Sequence, residues 1–214
     1  VDACDLTLDP NTAHRKLIMS EDNRRVEVKP WPYCNEFFGE EHPYPDHPER
    51  FDLEQQVLCT EGLTGRHYWE VEGQVLVGVT YRSIRRRGMC DACTLGDNNR
   101  SWGLSRSRFT FGFCQRLSVH HNCEQTLIHY KLPSPSRVGV YLDWPAGVLS
   151  FYSISSDTMT HLHTFITTFS EPLYPAFGLR TVVITLGDSS PSSMYLCVCV
   201  GEKNITHTSD QRTC

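Results

Sequence analysis

Short runs in which apolar and polar side chains alternate every second residue recur along this chain, and they predict β-strands. In the run 67–72, Trp69 and Val71 fall on one face of the predicted strand, and Trp69 is expected in the core. Tyr68 and Glu70 fall on the opposite face. No window of about 12 residues places apolar side chains at helical spacing. The pattern therefore predicts an all-β protein with little helix.

Turn residues separate the predicted strands at short intervals. Asp-Trp-Pro-Ala-Gly at 143–147 joins two strong strand runs and predicts a hairpin loop. The strand runs continue from about residue 56 to about residue 200, and no linker divides them. Many short strands without helices are typical of a sandwich or a barrel. The polar stretch 201–214 is expected to be a mobile tail.

Length and charge narrow the class of protein. A chain of 214 residues buries a sizeable core in one domain without help from disulfides. No apolar run approaches the roughly 20 residues that a membrane-spanning helix needs, so we expect no membrane span. The net charge of −5 argues against nucleic acid as the main partner.

Charged residues are concentrated in two segments of the chain, one basic and one acidic. The basic run consists of Arg82, Arg85, Arg86 and Arg87, and acidic residues are frequent from 36 to 54. Because like charges repel, we expect the arginines in an exposed loop, either solvated or facing acidic side chains. Those acids belong either to the segment 36–54 or to a partner, which such a loop would steer.

Ten cysteines are spread irregularly over the chain, which is not the density of a disulfide-stapled small domain. We therefore expect reduced thiols and an intracellular location. Cys90 and Cys93 form a C-x-x-C pair, but a zinc site needs a second pair at comparable spacing. The nearest candidates, His120, His121 and Cys123, do not match that spacing, so no metal is predicted. No βαβ pattern surrounds the pair, which argues against a thioredoxin-like redox role.

Catalytic motifs are missing from the sequence. It contains no nucleophile elbow, no phosphate-binding glycine loop and no metalloprotease helix motif, so neither catalytic residues nor a cofactor is predicted. His161 and His163 are expected to share one face of a strand. Trp102 and Trp144 lie in or near predicted loops, where they either anchor a protein partner or plug the ends of a sandwich.

Four motifs resemble those of one known family and occur in that family's order. LDPNTA at 8–13 resembles the opening L-D-P-x-T-A of PRY segments, and GRHYWEVE at 65–72 resembles the G-x-x-Y-W-E-V motif of SPRY domains. RVGVYLDWPAG at 137–147, followed by LSFY at 149–152, resembles R-V-G-V-x-L-D-Y-E-x-G-x-L-S-F-Y, with Trp-Pro in place of Tyr-Glu. PLYPAF at 172–177 resembles the closing P-L-Y-P-x-F. The chain is identified as a member of the PRY–SPRY (B30.2) family.

This resemblance implies a concanavalin-like β-sandwich of two antiparallel sheets. The PRY segment is expected at residues 1–55 and the SPRY segment at 56–200, together forming one domain. The implied function is non-enzymatic recognition of a protein partner, without a cofactor, in innate immunity or ubiquitin-ligase targeting. We expect the domain to be monomeric and cytoplasmic.

Two further segments, 44–52 and 155–165, resemble a fish-type subgroup of this family. In that subgroup the domain ends NOD-like receptors, tripartite-motif proteins and stonustoxin-like pore-forming toxins. A secreted toxin domain is therefore one alternative. A lectin-like or small-ligand-binding sandwich is another, because similar two-sheet architectures bind sugars.

The resemblance also points to a partner site. In relatives, residues just after the position of Trp102 and those that follow the closing motif line the site that contacts the partner. The arginine run and the hairpin loop add charged and aromatic candidates. The predicted partner-binding residues are Trp102, Leu104, Arg85, Arg86, Arg87, Trp144, Leu179, Arg180 and Thr181.

Overall fold

A computed structural model describes residues 2–3, 5–28, 44–73, 76–88, 90–108, 115–128, 137–155, 158–179 and 195–199. Within these residues the strands are β1 Asp2–Ala3, β2 Leu17–Met19, β3 Arg25–Val28, β4 Gln56–Leu58, β5 Arg66–Glu72, β6 Leu76–Tyr81, β7 Ser101–Arg108, β8 Gln115–His121, β9 Glu124–Ile128, β10 Arg137–Asp143, β11 Val148–Ser155, β12 Thr158–Ile166, β13 Leu173–Gly178 and β14 Tyr195–Cys199. A 3-10 helix covers Asp91–Cys93. The predicted tail at 201–214 lies outside the described residues, as do residues 180–194 of the predicted strand runs.

Two sheets form the body of the protein, which confirms the predicted β-sandwich. The eight-stranded sheet has the order β12-β11-β10-β5-β14-β3-β2, and β1 also pairs with β5. The six-stranded sheet has the order β4-β13-β6-β7-β8-β9. The short β1 runs parallel to β5, while the other described pairings are antiparallel. No helix among the described residues is long and apolar enough to cross a membrane.

The main core fills the space between the two sheets. Trp69 and Val71 of β5 are buried in it, which confirms the predicted inner face of this strand. Tyr68 belongs to a separate buried cluster on the opposite face, where its hydroxyl donates to Glu70 Oε1 at 2.9 Å. Leu8, from the N-terminal part of the chain, packs into the same main core. Residues on both sides of position 56 therefore build one core.

The outer face of the six-stranded sheet is covered by the long connection between β6 and β7. A second apolar cluster joins side chains of the sheet to side chains of the loops that cover it: Phe51, Leu58, Leu76, Ile84, Leu95 and Ala176. The Gln56 side chain fixes this connection, because its Nε2 donates to the Cys93 carbonyl at 2.9 Å and its Oε1 accepts from the Leu95 N–H at 2.7 Å. The connection is thus bound to the sheet.

The hairpin between β10 and β11 confirms the turn predicted at 143–147. Asp143 pairs with Val148 at the end of the ladder. Gly147 adopts φ +70°, and a Cβ at this position would lie 1.8 Å from the Thr167 carbonyl oxygen. Glycine is therefore required here both by its backbone angle and by the close approach of the neighbouring chain.

A β-bulge in β12 separates the two histidines that were expected to share a face. Phe151 is opposite His163 and Tyr152 is opposite His161, so Leu162 is the extra residue. The His161 ring lies 5.5 Å from the Tyr152 ring, while the His163 ring lies 4.6 Å from Phe165, which packs against the main core. The expectation of a shared face is wrong, because one inserted residue shifts the alternation.

Candidate functional site

Two of the predicted partner-binding side chains are buried in the main core. Trp102 is 3% exposed and Leu104 is 2% exposed. The Trp102 ring stacks on His121 at 4.6 Å and meets Phe169 edge-to-face at 5.3 Å. β7 turns both side chains toward the opposite sheet. The prediction that these two side chains contact a partner at the surface is therefore corrected. Trp102 instead fills one end of the sandwich.

The predicted residues after β13 divide between the core and the undescribed part of the chain. Leu179 is buried in the main core, and its backbone N–H donates to the Gln55 carbonyl at 2.9 Å. The prediction that the Leu179 side chain contacts a partner is therefore also corrected. Arg180 and Thr181 lie outside the described residues.

Trp144 is half-buried at the tip of the hairpin between β10 and β11. Its indole N–H donates to the Glu171 carbonyl at 2.9 Å, and one side of the ring packs against the main core. Glu171 stands two residues before Leu173, which is the register partner of Tyr81. Trp144 therefore lies at the end of the sandwich where β6 finishes.

The arginine loop, residues 82–88, leaves β6 at that same end. Arg86 is its anchor, because the guanidinium is 7% exposed and donates to three backbone carbonyls. Nε donates to the Glu49 oxygen at 2.9 Å, Nη2 to the Arg82 oxygen at 2.9 Å, and Nη1 to the Ile84 oxygen. The guanidinium also lies over the Phe51 ring, 4.8 Å from its centre. Arg86 is thus internal, which corrects its assignment to the partner surface.

Carboxylates from the N-terminal part of the chain neutralise the base of the arginine loop. Glu49 Oε2 lies 3.3 Å from Arg86 Nη2 and 3.0 Å from Arg82 Nε. Asp9 Oδ2 lies 3.2 Å from Arg82 Nη2. Burial lowers the pKa of the Arg86 guanidinium, and the charge of Glu49 opposes that shift. Glu49 belongs to the segment 36–54, which was one of the two predicted sources of acids, whereas Asp9 lies outside that segment.

Arg85 and Arg87, which flank Arg86 in the chain, are exposed. Asp52 holds the neighbouring loop beside them, since its N–H donates to the Arg86 carbonyl and its carboxylate accepts from the Gly88 N–H, both at 3.1 Å. Leu53, the next residue, is 50% exposed. Two exposed cations therefore lie next to the loop that carries the exposed Leu53. Sequence reasoning missed the burial of Arg86 between them, because nothing in the run of arginines marks one as internal.

A serine, a histidine and an aspartate form a hydrogen-bonded row on the outer face of β8. Ser118 Oγ is 2.9 Å from His120 Nε2, and His120 Nδ1 is 3.4 Å from Asp97 Oδ1. Ser118 is only 3% exposed, and its hydroxyl also accepts from Gln125 Nε2 at 3.0 Å. A nucleophile must reach its substrate, so this row fits a network that satisfies buried polar groups.

Metal-ligating side chains are not gathered at the C-x-x-C pair. Among the described residues, no three His, Cys, Asp or Glu side chains are grouped closely enough to hold a metal ion. Cys123, one of the candidate ligands, instead donates its thiol to the Asp97 carbonyl at 3.0 Å. His121 is engaged by the Ser101 carbonyl at 2.8 Å and by the Trp102 ring.

We expect protein purified without chelator to contain less than about a tenth of an equivalent of zinc. Cys90 and Cys93 supply two thiols, whereas a structural zinc site needs four ligands. Elemental analysis of the purified chain measures the zinc content directly. A near-stoichiometric amount would contradict the prediction and would restore His120, His121 and Cys123 as ligands.

Fold and site together define a two-sheet β-sandwich that carries an anchored loop with exposed cations. The family model described as "PRY: SPRY-associated domain" matches residues 6–63, and the model described as "SPRY domain" matches residues 66–189. The chain therefore belongs to the PRY–SPRY (B30.2) family, and the resemblance identified in the sequence is confirmed.

Curated relatives include both toxins and tripartite-motif proteins. Stonustoxin subunit beta of Synanceia horrida is 43% identical over 176 residues, which cover 81% of this chain and 23% of that protein. Tripartite motif-containing protein 16 of Mus musculus is 40% identical over 182 residues, which cover 83% of this chain and 30% of that protein. The chain thus spans less than a third of the length of either relative.

Solved structures show the same architecture. A stonustoxin structure superposes with a TM-score of 0.72 and 38% identity, covering 92% of this chain and 27% of that chain. The crystal structure of the TRIM65 PSpry domain gives a TM-score of 0.69 and 28% identity, covering 92% of this chain and 91% of that chain. This second pair corresponds over almost the full length of both chains.

Proposed function

We propose that this chain is a non-enzymatic recognition module of an innate-immunity type protein, which binds a protein partner through loops at one end of its sandwich. SPRY domains bind proteins, and the tripartite-motif relatives support this class of function. The observation that carries the proposal is the arginine loop, in which a buried Arg86 holds Arg85 and Arg87 at the surface.

Anchoring makes the arginine loop suited to binding. A loop whose backbone is already fixed loses little conformational entropy when a partner docks. Within the loop, the Arg86 guanidinium holds the carbonyls of Arg82 and Ile84, and the Asp52 carboxylate holds the Gly88 N–H. The same guanidinium ties the loop to the Glu49 carbonyl. The exposed guanidiniums are therefore presented from a rigid base.

The chemistry of the surface defines the kind of partner. Arg85 and Arg87 favour carboxylates, with which a guanidinium makes paired hydrogen bonds. Leu53 adds an exposed apolar side chain beside them. We therefore propose a protein segment that presents acidic side chains next to an apolar one, with Trp144 contributing at the same end of the sandwich.

Changing Arg85 and Arg87 together to serine is expected to slow association with a captured partner on the order of 3- to 10-fold at low salt. The variant should also weaken the dependence of the association rate on salt, because fewer charges steer the encounter. Association rates of the purified partner at two salt concentrations measure both effects.

The matched control is Arg24→Ser. Arg24 is an exposed arginine that pairs with Asp5 at 3.0 Å, away from the arginine loop. The Arg24→Ser substitution removes one positive charge but should leave the association rate within about twofold of that of the unmodified chain. An unchanged association rate and salt dependence in the Arg85→Ser, Arg87→Ser variant would contradict the proposed surface.

We propose a monomeric, cytoplasmic module, with residues 1–55 and 56–200 as its PRY and SPRY segments. The toxin relatives favour a second candidate, the C-terminal domain of a secreted pore-forming protein. The redox state of the cysteines in the native tissue separates the two, since the cytosol keeps thiols reduced. The lectin-like alternative stays a prediction, and binding of the purified chain to a glycan array would test it.

A further inference from the structure

The thiols of Cys90 and Cys93 lie next to each other on the connection between β6 and β7. Their Sγ atoms are 3.3 Å apart. One turn of 3-10 helix separates them, with the Cys93 N–H donating to the Cys90 carbonyl at 2.8 Å. A disulfide requires the sulfurs to approach only about 1.3 Å closer. The sequence spacing alone did not reveal this contact, because it does not specify the turn.

The two thiols differ in environment. Cys90 is half-buried, whereas Cys93 is 1% exposed and donates its S–H to the Arg87 carbonyl at 3.2 Å. Burial, and next the hydrogen bond with Cys90, raise the pKa of the Cys93 thiol to about 11. A reagent in solution therefore meets Cys90 first, while Cys93 stays protonated and shielded.

We infer that Cys90 and Cys93 form a dithiol modification site, which closes to a disulfide by exchange with a low-molecular-weight disulfide such as oxidised glutathione. The Cys90 thiolate attacks one sulfur of the reagent, forms a mixed disulfide and expels one thiolate, which takes up the proton that Cys90 released. Cys93 then attacks the Cys90 sulfur and expels the second reagent thiolate, which takes up the proton that Cys93 loses. Two protein thiols are oxidised, and one reagent disulfide is reduced to two thiols.

Closure changes the hydrogen bonding of the arginine loop. Once its sulfur is bonded to Cys90, Cys93 has no proton to donate to the Arg87 carbonyl. The backbone beside an exposed guanidinium therefore loses one contact. The inference concerns the thiols themselves and does not depend on the partner proposed above.

The test uses the full chain and peptide mapping. The reduced protein is incubated with oxidised glutathione, the remaining thiols are blocked with iodoacetamide, and the protein is digested with trypsin. Cleavage after Arg87 and Arg100 yields peptide 88–100, whose cysteines are Cys90 and Cys93 alone. Cleavage after Arg116 and Lys131 yields peptide 117–131, with Cys123 as its single cysteine.

Cys123 serves as the internal control, because it is exposed and has no second cysteine in its peptide. We expect peptide 88–100 to carry no alkyl group and to be two hydrogen atoms lighter than its reduced, unalkylated form, while peptide 117–131 carries one glutathione. A doubly alkylated peptide 88–100 beside a glutathionylated peptide 117–131 would overturn the inference. Glutathione retained on Cys90, or a disulfide that links the two peptides, would also overturn it.

A variant tests the order of the two steps. In Cys93→Ser the exchange is expected to stop at the first step, so peptide 88–100 should carry one glutathione on Cys90. In Cys90→Ser the buried Cys93 should stay reduced during the same incubation, so that iodoacetamide alkylates it once the protein is unfolded. Glutathione on Cys93 but not on Cys90 would contradict the assigned order.

Discussion

Replacement of Trp69 with alanine is expected to lower the free energy of unfolding by about 3–5 kcal/mol. Trp69 is fully buried in β5, where its register partner is Val140 of β10. β5 is paired on both sides, so the strand has little freedom to collapse into the cavity. Since domains have a total stability of about 5–15 kcal/mol, the variant should be close to unfolding at room temperature. A denaturant titration followed by circular dichroism measures the change.

The matched control is Trp69→Phe. The Trp69 indole N–H is buried and has no hydrogen-bond acceptor among the described residues. Phenylalanine therefore removes no hydrogen bond and should cost less than half of the loss seen with alanine. An unchanged midpoint in Trp69→Ala would place this side chain outside the core and contradict the assigned face of β5.

Replacement of Arg86 with alanine is the second change with a large expected effect, a loss of at least about 3 kcal/mol in the free energy of unfolding. The carbonyls of Glu49, Arg82 and Ile84 would lose their donor, and buried acceptors without a partner cost about 1–3 kcal/mol each. Phe51 would also lose the cation above its ring. The melting midpoint and a denaturant titration together measure this loss.

Three further variants make the comparison specific. Arg85→Ala and Arg87→Ala remove the same charge at exposed positions and should change stability by less than about 0.5 kcal/mol. Arg86→Lys keeps the charge but lacks the planar fork of donors, so it should recover only a small part of the loss. If Arg86→Ala matched Arg85→Ala in stability, the anchoring role of Arg86 would be wrong.

The strands and their faces were predictable because they follow local periodicity. Alternation alone placed Trp69 inside, and the turn residues at 143–147 located the hairpin. The family motifs added the two-sheet architecture. Alternation predicted the wrong faces for His161 and His163, because one inserted residue in β12 shifts the pattern. That bulge arises in the pairing with β11, which local periodicity does not contain.

The candidate site was less predictable because it depends on contacts between distant residues. In the sequence, Arg86 is indistinguishable from Arg85 and Arg87. Its burial follows from Glu49, 37 residues away in the chain, and from the second apolar cluster. Trp102 likewise looked like a loop aromatic, although β7 begins one residue earlier and directs its side chain inward. Such orientations are set by the packed sheets.

The position of β14 has a consequence for the synthesis of the chain. β14 is the last described strand in sequence, yet it lies between β5 and β3 in the eight-stranded sheet. Until residues 195–199 emerge from the ribosome, β2 and β3 remain unjoined to that sheet and part of the β5 edge stays open. Open strand edges pair readily with other chains. The edge of β5 and the β2–β3 pair are therefore exposed to pairing with other chains until residues 195–199 take their place between them.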